Sequence, residues 1–256
     1  MTKPKVVLFI DNSNIFISAK DVAGKKEGIA ARNQVRLQFD NMLQLALKGR
    51  QLAKAYVVGS IPPEQRAVWD KFAAATGVKP ELYERGSVSG GEQGLDQCLQ
   101  VHMLRAISDY IEPQIAVLMT GDGAGYDDGV GFHSDLKRMH LAGWGIEVIS
   151  WKDHCKRSLK DWASSNGVFI SLDDYYEFIT FLEDGARRAK SVNLTTRQTS
   201  TTRISPARAV EIKAKTEADE RIRALENELA EVKAKAAEKT AKREKYQKRY
   251  DRKSKK

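Results

Sequence analysis

Two aspartates stand where apolar runs end. Asp11 follows the run 5–10 (KVVLFI), and Asp122 follows 113–120 (PQIAVLMT) with only Gly121 between. Both runs read as buried strands. Carboxylates gathered beside buried strands repel one another and cost stability unless cations sit among them. Mg2+ and Mn2+ prefer oxygen ligands, so a few Asp side chains plus water suit them. In phosphodiester hydrolysis such ions generate hydroxide from water and neutralise charge on the phosphate. A lone Asp after a strand is also an ordinary turn or helix-capping residue, so the pairing carries the argument.

Three further acids are candidates. Asp96 lies in the first turn of a helix expected from 95 to about 110, behind the glycine-rich stretch 86–94. A carboxylate is favoured there by the helix dipole as much as by a metal. Asp127 and Asp128 lie in the glycine-rich loop after Asp122 (TGDGAGYDDGVGF), where acids are equally at home in turns.

The elements that must position these residues alternate in type. Short apolar runs at 5–10, 53–61, 81–84, 113–120, 145–150 and 168–171 read as strands. Between them lie a polar insertion at about 21–33, a helix after Asp40, a helix opened by Pro62 and Pro63, and helices at 95–110, 132–142 and around Leu159 and Trp162. A terminal helix is expected from Asp173 through Phe181. This alternation predicts an α/β fold: a mostly parallel sheet with helices on both faces. In that class, sites form beyond the C-terminal strand ends, where strand order reverses. Trp144, Trp151, Trp162 and the cluster Tyr175, Tyr176 and Phe178 read as core.

The stretch 9–15 (FIDNSNI) resembles the opening motif of the NYN domain family, hydrophobic residues followed by Asp, two variable positions and Asn. Leu95-Asp96 resembles that family's second acid, and Thr120-Gly121-Asp122 its Ser-Gly-Asp at a strand end. The helix at 132–143 and strand at 146–149 match the expected continuation. The resemblance covers about residues 4–170. It implies a PIN-like, Rossmannoid three-layer α/β/α fold of the PIN-like/FLAP nuclease superfamily, with the first and fourth strands adjacent. It also implies a metal-dependent endoribonuclease, with RNA as substrate and Asp11, Asp96 and Asp122 converging on Mg2+ or Mn2+. In this picture Asp11 and Asp122 hold the main metal. Asp96 helps to hold it or activates the attacking water. Asn14 orients Asp11, contacts substrate or caps a helix, and Ser13 and Thr120 are secondary substrate contacts. One departure stands out. Where the family has Asp-Phe after Ser-Gly-Asp, this chain has Gly131-Phe132 and a longer loop. Asp127 or Asp128 is expected to replace the missing acid. Failing that, the alternative is a catalytically weak or inactive RNA-binding or scaffold protein.

The charge of the chain is unevenly placed. Of a net +9 over 256 residues, the stretch 239–256 holds ten Lys or Arg against two acids. The body is therefore near neutral, and polyanion contact or plain solvation belongs to the tail. The expected organisation is a nuclease domain at 1–184, a Ser/Thr/Arg-rich linker at 185–206 and a charged helix with a basic tail at 207–256. Ile222, Leu225, Leu229, Val232 and Ala236 follow the 3-4 spacing of a short coiled coil. A single charged helix is the plainer reading, and a homodimer through the seam is the other. The run 6–10 is too short for a signal-peptide core, and no stretch approaches membrane-spanning length. Two distant cysteines, Cys98 and Cys155, suit a reducing compartment, so the expected setting is cytoplasmic. No Cys or His spacing matches a zinc site or a Cys-His nucleophile pair, and no Gly-Lys-Ser/Thr follows the glycines at 121–125.

Overall fold

The computed structural model describes residues 3–61, 66–84, 91–121 and 131–203, with the isolated positions 214, 221, 223 and 227. The chain divides into two units, Met1–Ile204 and Ser205–Lys256. The coiled-coil seam and the basic tail lie outside the described residues.

The first unit is built on a six-stranded sheet formed by β1 (Val6–Asp11), β3 (Leu52–Ile61), β4 (Glu81–Glu84), β5 (Ile115–Met119), β6 (Gly145–Ser150) and β7 (Val168–Ser171). The order is β4-β3-β1-β5-β6-β7, and every pairing is parallel. From β1 the chain moves outward through β3 to β4, then returns to the other side of β1 with β5. Strand order therefore reverses between β1 and β5, which pair Val6 with Ile115 through Ile10 with Met119. The adjacency implied by the family resemblance is present.

Both faces of the sheet are covered, so the two central strands are apolar along their length, β5 throughout and β1 up to Asp11 at its end. Successive residues of β1 serve two cores. Leu8 and Ile10 pack with α1 (Asn12–Glu27), α3 (Phe39–Leu47) and α4 (Arg66–Thr76). Val7 and Phe9 pack with α5 (Gly91–Asp109), α6 (Phe132–Leu141) and α7 (Arg157–Asn166). Trp144 and Trp151 are buried, as their reading as core requires. No helix of the described residues is long and apolar enough to cross a membrane.

Several boundaries differ from the sequence expectation. The polar insertion at 21–33 is helical: α1 runs to Glu27, and α2 (Ile29–Gln34) follows after Gly28, whose φ of 92° breaks the two. The helix expected from 95 begins at Gly91, so Asp96 sits in its second turn rather than its first. Asp40 lies inside the first turn of α3, and the N-cap is Gln38. The expected terminal helix is a 3-10 turn at Leu172–Tyr175, a single turn α8 (Tyr176–Ile179) and a strand β8 (Thr180–Leu182). β8 pairs antiparallel with β2 (Val35–Leu37) in a small second sheet.

The segment expected to be a linker is anchored to the domain as far as Arg203. Arg197 is fully buried and donates to Glu147 at 2.7 Å, while the Ser200 amide donates to the same carboxylate at 2.9 Å. Arg50 donates twice to Glu147, at 2.6 and 2.9 Å. A Ser/Thr/Arg-rich composition signals few core residues, but here a buried carboxylate on β6 supplies the attachment.

Candidate active site at the reversal of strand order

Asp11 is the last residue of β1 and is 1% exposed. It also caps α1. Its Oδ1 accepts the Asn14 amide at 3.2 Å, and its Oδ2 accepts the Asn14 side-chain amide. Strand alternation places Asp11 on the face of Val7 and Phe9, toward α5 and α6. Ser13 is buried. Its Oγ lies 2.9 Å from Ser60 Oγ and accepts the Ser60 amide at 3.0 Å, tying the first turn of α1 to β3. These bonds fix where α1 begins, and through it the carboxylate of Asp11.

Across the strand pair, Thr120 follows β5 directly. Because Ile10 pairs with Met119, Thr120 is the register neighbour of Asp11. Its hydroxyl is fully buried and has no hydrogen-bond partner among the described residues. Gly121 comes next and lies hard against α1. A Cβ there would sit 2.6 Å from the Asn14 carbonyl carbon and 2.8 Å from Ser18 Oγ. Ser150, at the end of β6, donates to the Gly121 carbonyl at 3.1 Å. The Thr-Gly of the Thr-Gly-Asp motif thus closes the end of β5 onto the start of α1. Asp122, Asp127 and Asp128 lie outside the described residues.

Asp96 is half-buried. It continues toward the helix start the stripe of α5 that carries Leu99, Met103 and Ala106 into the core beneath the helix. Gln100, one turn on, accepts the Gly131 amide at 3.2 Å through its side-chain oxygen. That bond joins the early part of α5 to the entry of α6.

At that entry stands an acid that the sequence reading passed over. Asp135 is 2% exposed, in the first turn of α6, between the core residues Phe132, Leu136 and Met139. One oxygen accepts from Arg138 at 2.8 Å, while Oδ2 is buried with no hydrogen-bond partner among the described residues. Burial pushes its pKa up, against the opposing pull of the Arg138 charge. A buried carboxylate oxygen without a donor is costly, and a cation is one way to satisfy it. The signal in the sequence was a charged residue inside the helical spacing Phe132, Leu136, Met139. On the opposite flank of α6, His133 and His140 both pack on Trp162, with ring centroids 5.2 and 5.8 Å apart. Burial lowers the pKa of each.

Asp11, Asp96 and Asp135 thus belong to the same layer, between the sheet and the α5–α6 pair. They do not come within direct ligand spacing of one another: among the described residues one group does, and it is a different one. A donor set of spaced carboxylates fits Mg2+ or Mn2+, because Mg2+ keeps several waters and takes only one or two carboxylates directly. The buried, donor-less Asp135 oxygen is the observation that favours such an ion.

The group that does meet ligand spacing is Glu81, Cys98 and His102. Cys98 donates to Glu81 Oε2 and His102 Nε2 lies beside Glu81 Oε1, both at 2.9 Å. The hydrogen bond from Cys98 holds the Glu81 carboxyl below its ordinary range. Cys98 and His102 are one helical turn apart, but the third member comes from β4, so no local spacing revealed the trio.

Residues 5–173 match the family model of the NYN domain. No curated protein matches the chain.

Proposed function

We propose that this chain, which belongs to the NYN domain family and carries its PIN-like nuclease fold, hydrolyses RNA phosphodiester bonds with Mg2+ or Mn2+. The single observation carrying this reading is the buried Asp11 carboxylate at the reversal of strand order, held by both donors of Asn14 beside the register position of Thr120. A crevice at that point is where open parallel sheets bind ligands.

The ion would be held by Asp11, Asp96 and Asp122, and when bound it supplies a hydroxide nucleophile and offsets phosphate charge. Asn14 keeps the Asp11 carboxylate in one orientation. Ser13 anchors the helix that carries Asn14, so its role is positioning through Ser60 rather than contact with substrate. Thr120 holds a buried hydroxyl with no partner among the described residues at the register position beside Asp11, where it could bond an ion-bound water. The acid missing before Phe132 is supplied by Asp135, one turn further along α6. Asp127 and Asp128, in the enlarged loop, are the other candidates.

The experiment is incubation of end-labelled single-stranded RNA with the full chain in Mn2+ or Mg2+, with EDTA as control and Asp11→Asn/Asp122→Asn as the variant. Metal-dependent cleavage that the folded variant lacks supports the nuclease. RNA that is bound and never cut, across several substrates, moves a non-catalytic RNA-binding protein into first place.

A further inference from the structure

The Glu81–Cys98–His102 trio lies on the other flank of α5 from Gln100. Glu81 begins β4, the edge strand of the sheet, and Cys98 and His102 project from α5 one turn apart. The imidazole is set in place from behind. It stacks on Tyr56 with ring centroids 4.1 Å apart and planes 19° from parallel, and Tyr56 stacks in turn on the core residue Phe9 at 5.5 Å. This leaves Nε2 turned to Glu81 at 2.9 Å. One sulfur, one nitrogen and one oxygen ligand atom therefore all lie within 4.8 Å of one another.

We propose that Glu81, Cys98 and His102 form a binding site for a zinc-type divalent cation, with three protein ligands and one coordination position open to solvent. Zinc takes sulfur at about 2.3 Å and nitrogen or oxygen at about 2.0–2.2 Å in a tetrahedral arrangement. Ligand atoms around such an ion stand roughly 3.3–3.7 Å apart by that geometry, so small side-chain adjustments convert the present hydrogen-bonded trio into a ligand set. The chemistry of the donors decides the ion. A thiolate and an imidazole suit zinc, whereas Mg2+ and Mn2+ favour oxygen. On binding, the Cys98 thiol gives up its proton to solvent and its sulfur bonds the metal. The proton of the Glu81–His102 hydrogen bond leaves Nε2, the neutral imidazole holding its proton at Nδ1 instead, and Nε2 and the Glu81 carboxylate then bond the metal. The side chains of Glu81 and His102 are 47% and 20% exposed, which leaves room for a water as fourth ligand. The site fastens the edge strand to the helix that also carries Asp96, and it does not depend on the nuclease reading.

The test uses the full chain titrated with Co2+, which reports a thiolate ligand by a sulfur-to-cobalt charge-transfer band in the near ultraviolet and a tetrahedral field by strong visible bands. The wild type is expected to develop both, to lose them when Zn2+ is added and to retain them when Mg2+ is added. Cys98→Ser removes the charge-transfer band. His102→Ala and Glu81→Gln weaken binding by about tenfold or more, the scale on which metal sites respond even to lost outer partners. Circular dichroism of each variant verifies folding, and the conservative Glu81→Gln keeps the test open if Cys98→Ser fails to fold. Asp11→Asn/Asp122→Asn retains the bands, which separates this site from the aspartates. Absence of a thiolate band in the folded wild type overturns the proposal. So does a band that survives in Cys98→Ser, since the sulfur would then be that of Cys155.

Discussion

Asn14 gives both its backbone and its side-chain donor to the two oxygens of one buried carboxylate. A hydrogen bond to a charged group contributes about 1.5–3 kcal/mol, against about 1 kcal/mol for a neutral pair. Removing the side-chain donor should therefore be felt in both stability and activity. Asn14→Ala is expected to lower stability by about 1–2 kcal/mol and to reduce RNA cleavage about tenfold or more through a misplaced carboxylate. Urea midpoints and single-turnover rates measure the two effects, and unchanged rates would remove Asn14 from the positioning of Asp11. Asp135 gives the opposite stability sign. Its buried oxygen without a donor makes the ionised form unfavourable, so Asp135→Asn is expected to raise the melting temperature in EDTA. The same variant should gain less than the wild type on adding Mn2+, because ligand-linked stabilisation scales with affinity for the folded state. Equal gains in the two proteins would exclude Asp135 from the metal site.

Elements bring these residues together through two close contacts, the Ser13–Ser60 bond and the seat of Gly121 on α1. Gly121→Ala would force a methyl group into the Asn14 carbonyl. Overpacking of this kind costs about 1–3 kcal/mol, and here backbone must move rather than a flexible side chain. The expected result is a lower urea midpoint with cleavage impaired beyond what the stability loss explains, read by activity under conditions where the variant remains folded. Much of this was legible in the residues. β1 and β5 are buried on both faces, and a continuous apolar run reports that directly, so Asp11 could be placed at a strand end before any coordinates. Asp135 carried only a weaker signal, its place inside the apolar spacing of Phe132, Leu136 and Met139, because full burial of its carboxylate follows from α5 lying beside α6. The trio on β4 and α5 escaped for the same reason, since Glu81 is 17 residues from its nearer partner Cys98. The start of α5 at Gly91 was hidden by glycines that ordinarily mark a loop. The Thr180–Leu182 strand was hidden because its pairing with Val35–Leu37 is decided by chain-distant contact.

At the scale of the molecule, one buried carboxylate holds the end of the domain. Burial alone would raise the pKa of Glu147, but the hydrogen bonds from Arg50 and the charges of Arg197 and Arg50 outweigh it, and the net shift is downward. The folded state thus binds fewer protons than the unfolded chain near the ordinary carboxylate range. The contribution is complete above the unfolded value, near 4.5, and is lost as pH falls through the lower folded value. Glu147→Gln leaves Arg197 buried beside an uncharged partner, so it is expected to cost about 3–5 kcal/mol at neutral pH. It should also flatten the acid limb of stability against pH, measured as urea midpoints between neutral pH and the acid limit of folding. The basic residues of 239–256 act on a different quantity. Under the proposed RNA-binding role, ten cations against two anions attached to a nearly neutral body would make the tail the main source of phosphate contacts, and such contacts release counterions and steepen the salt dependence of binding. Deleting 239–256 is expected to weaken RNA binding most at low salt and to reduce the slope of log affinity against log salt. Metal-dependent cleavage at saturating RNA should be left near the full-length rate. Binding isotherms across a salt series decide the matter: an unchanged slope would assign the phosphate contacts to the body and leave the tail as a solvated end.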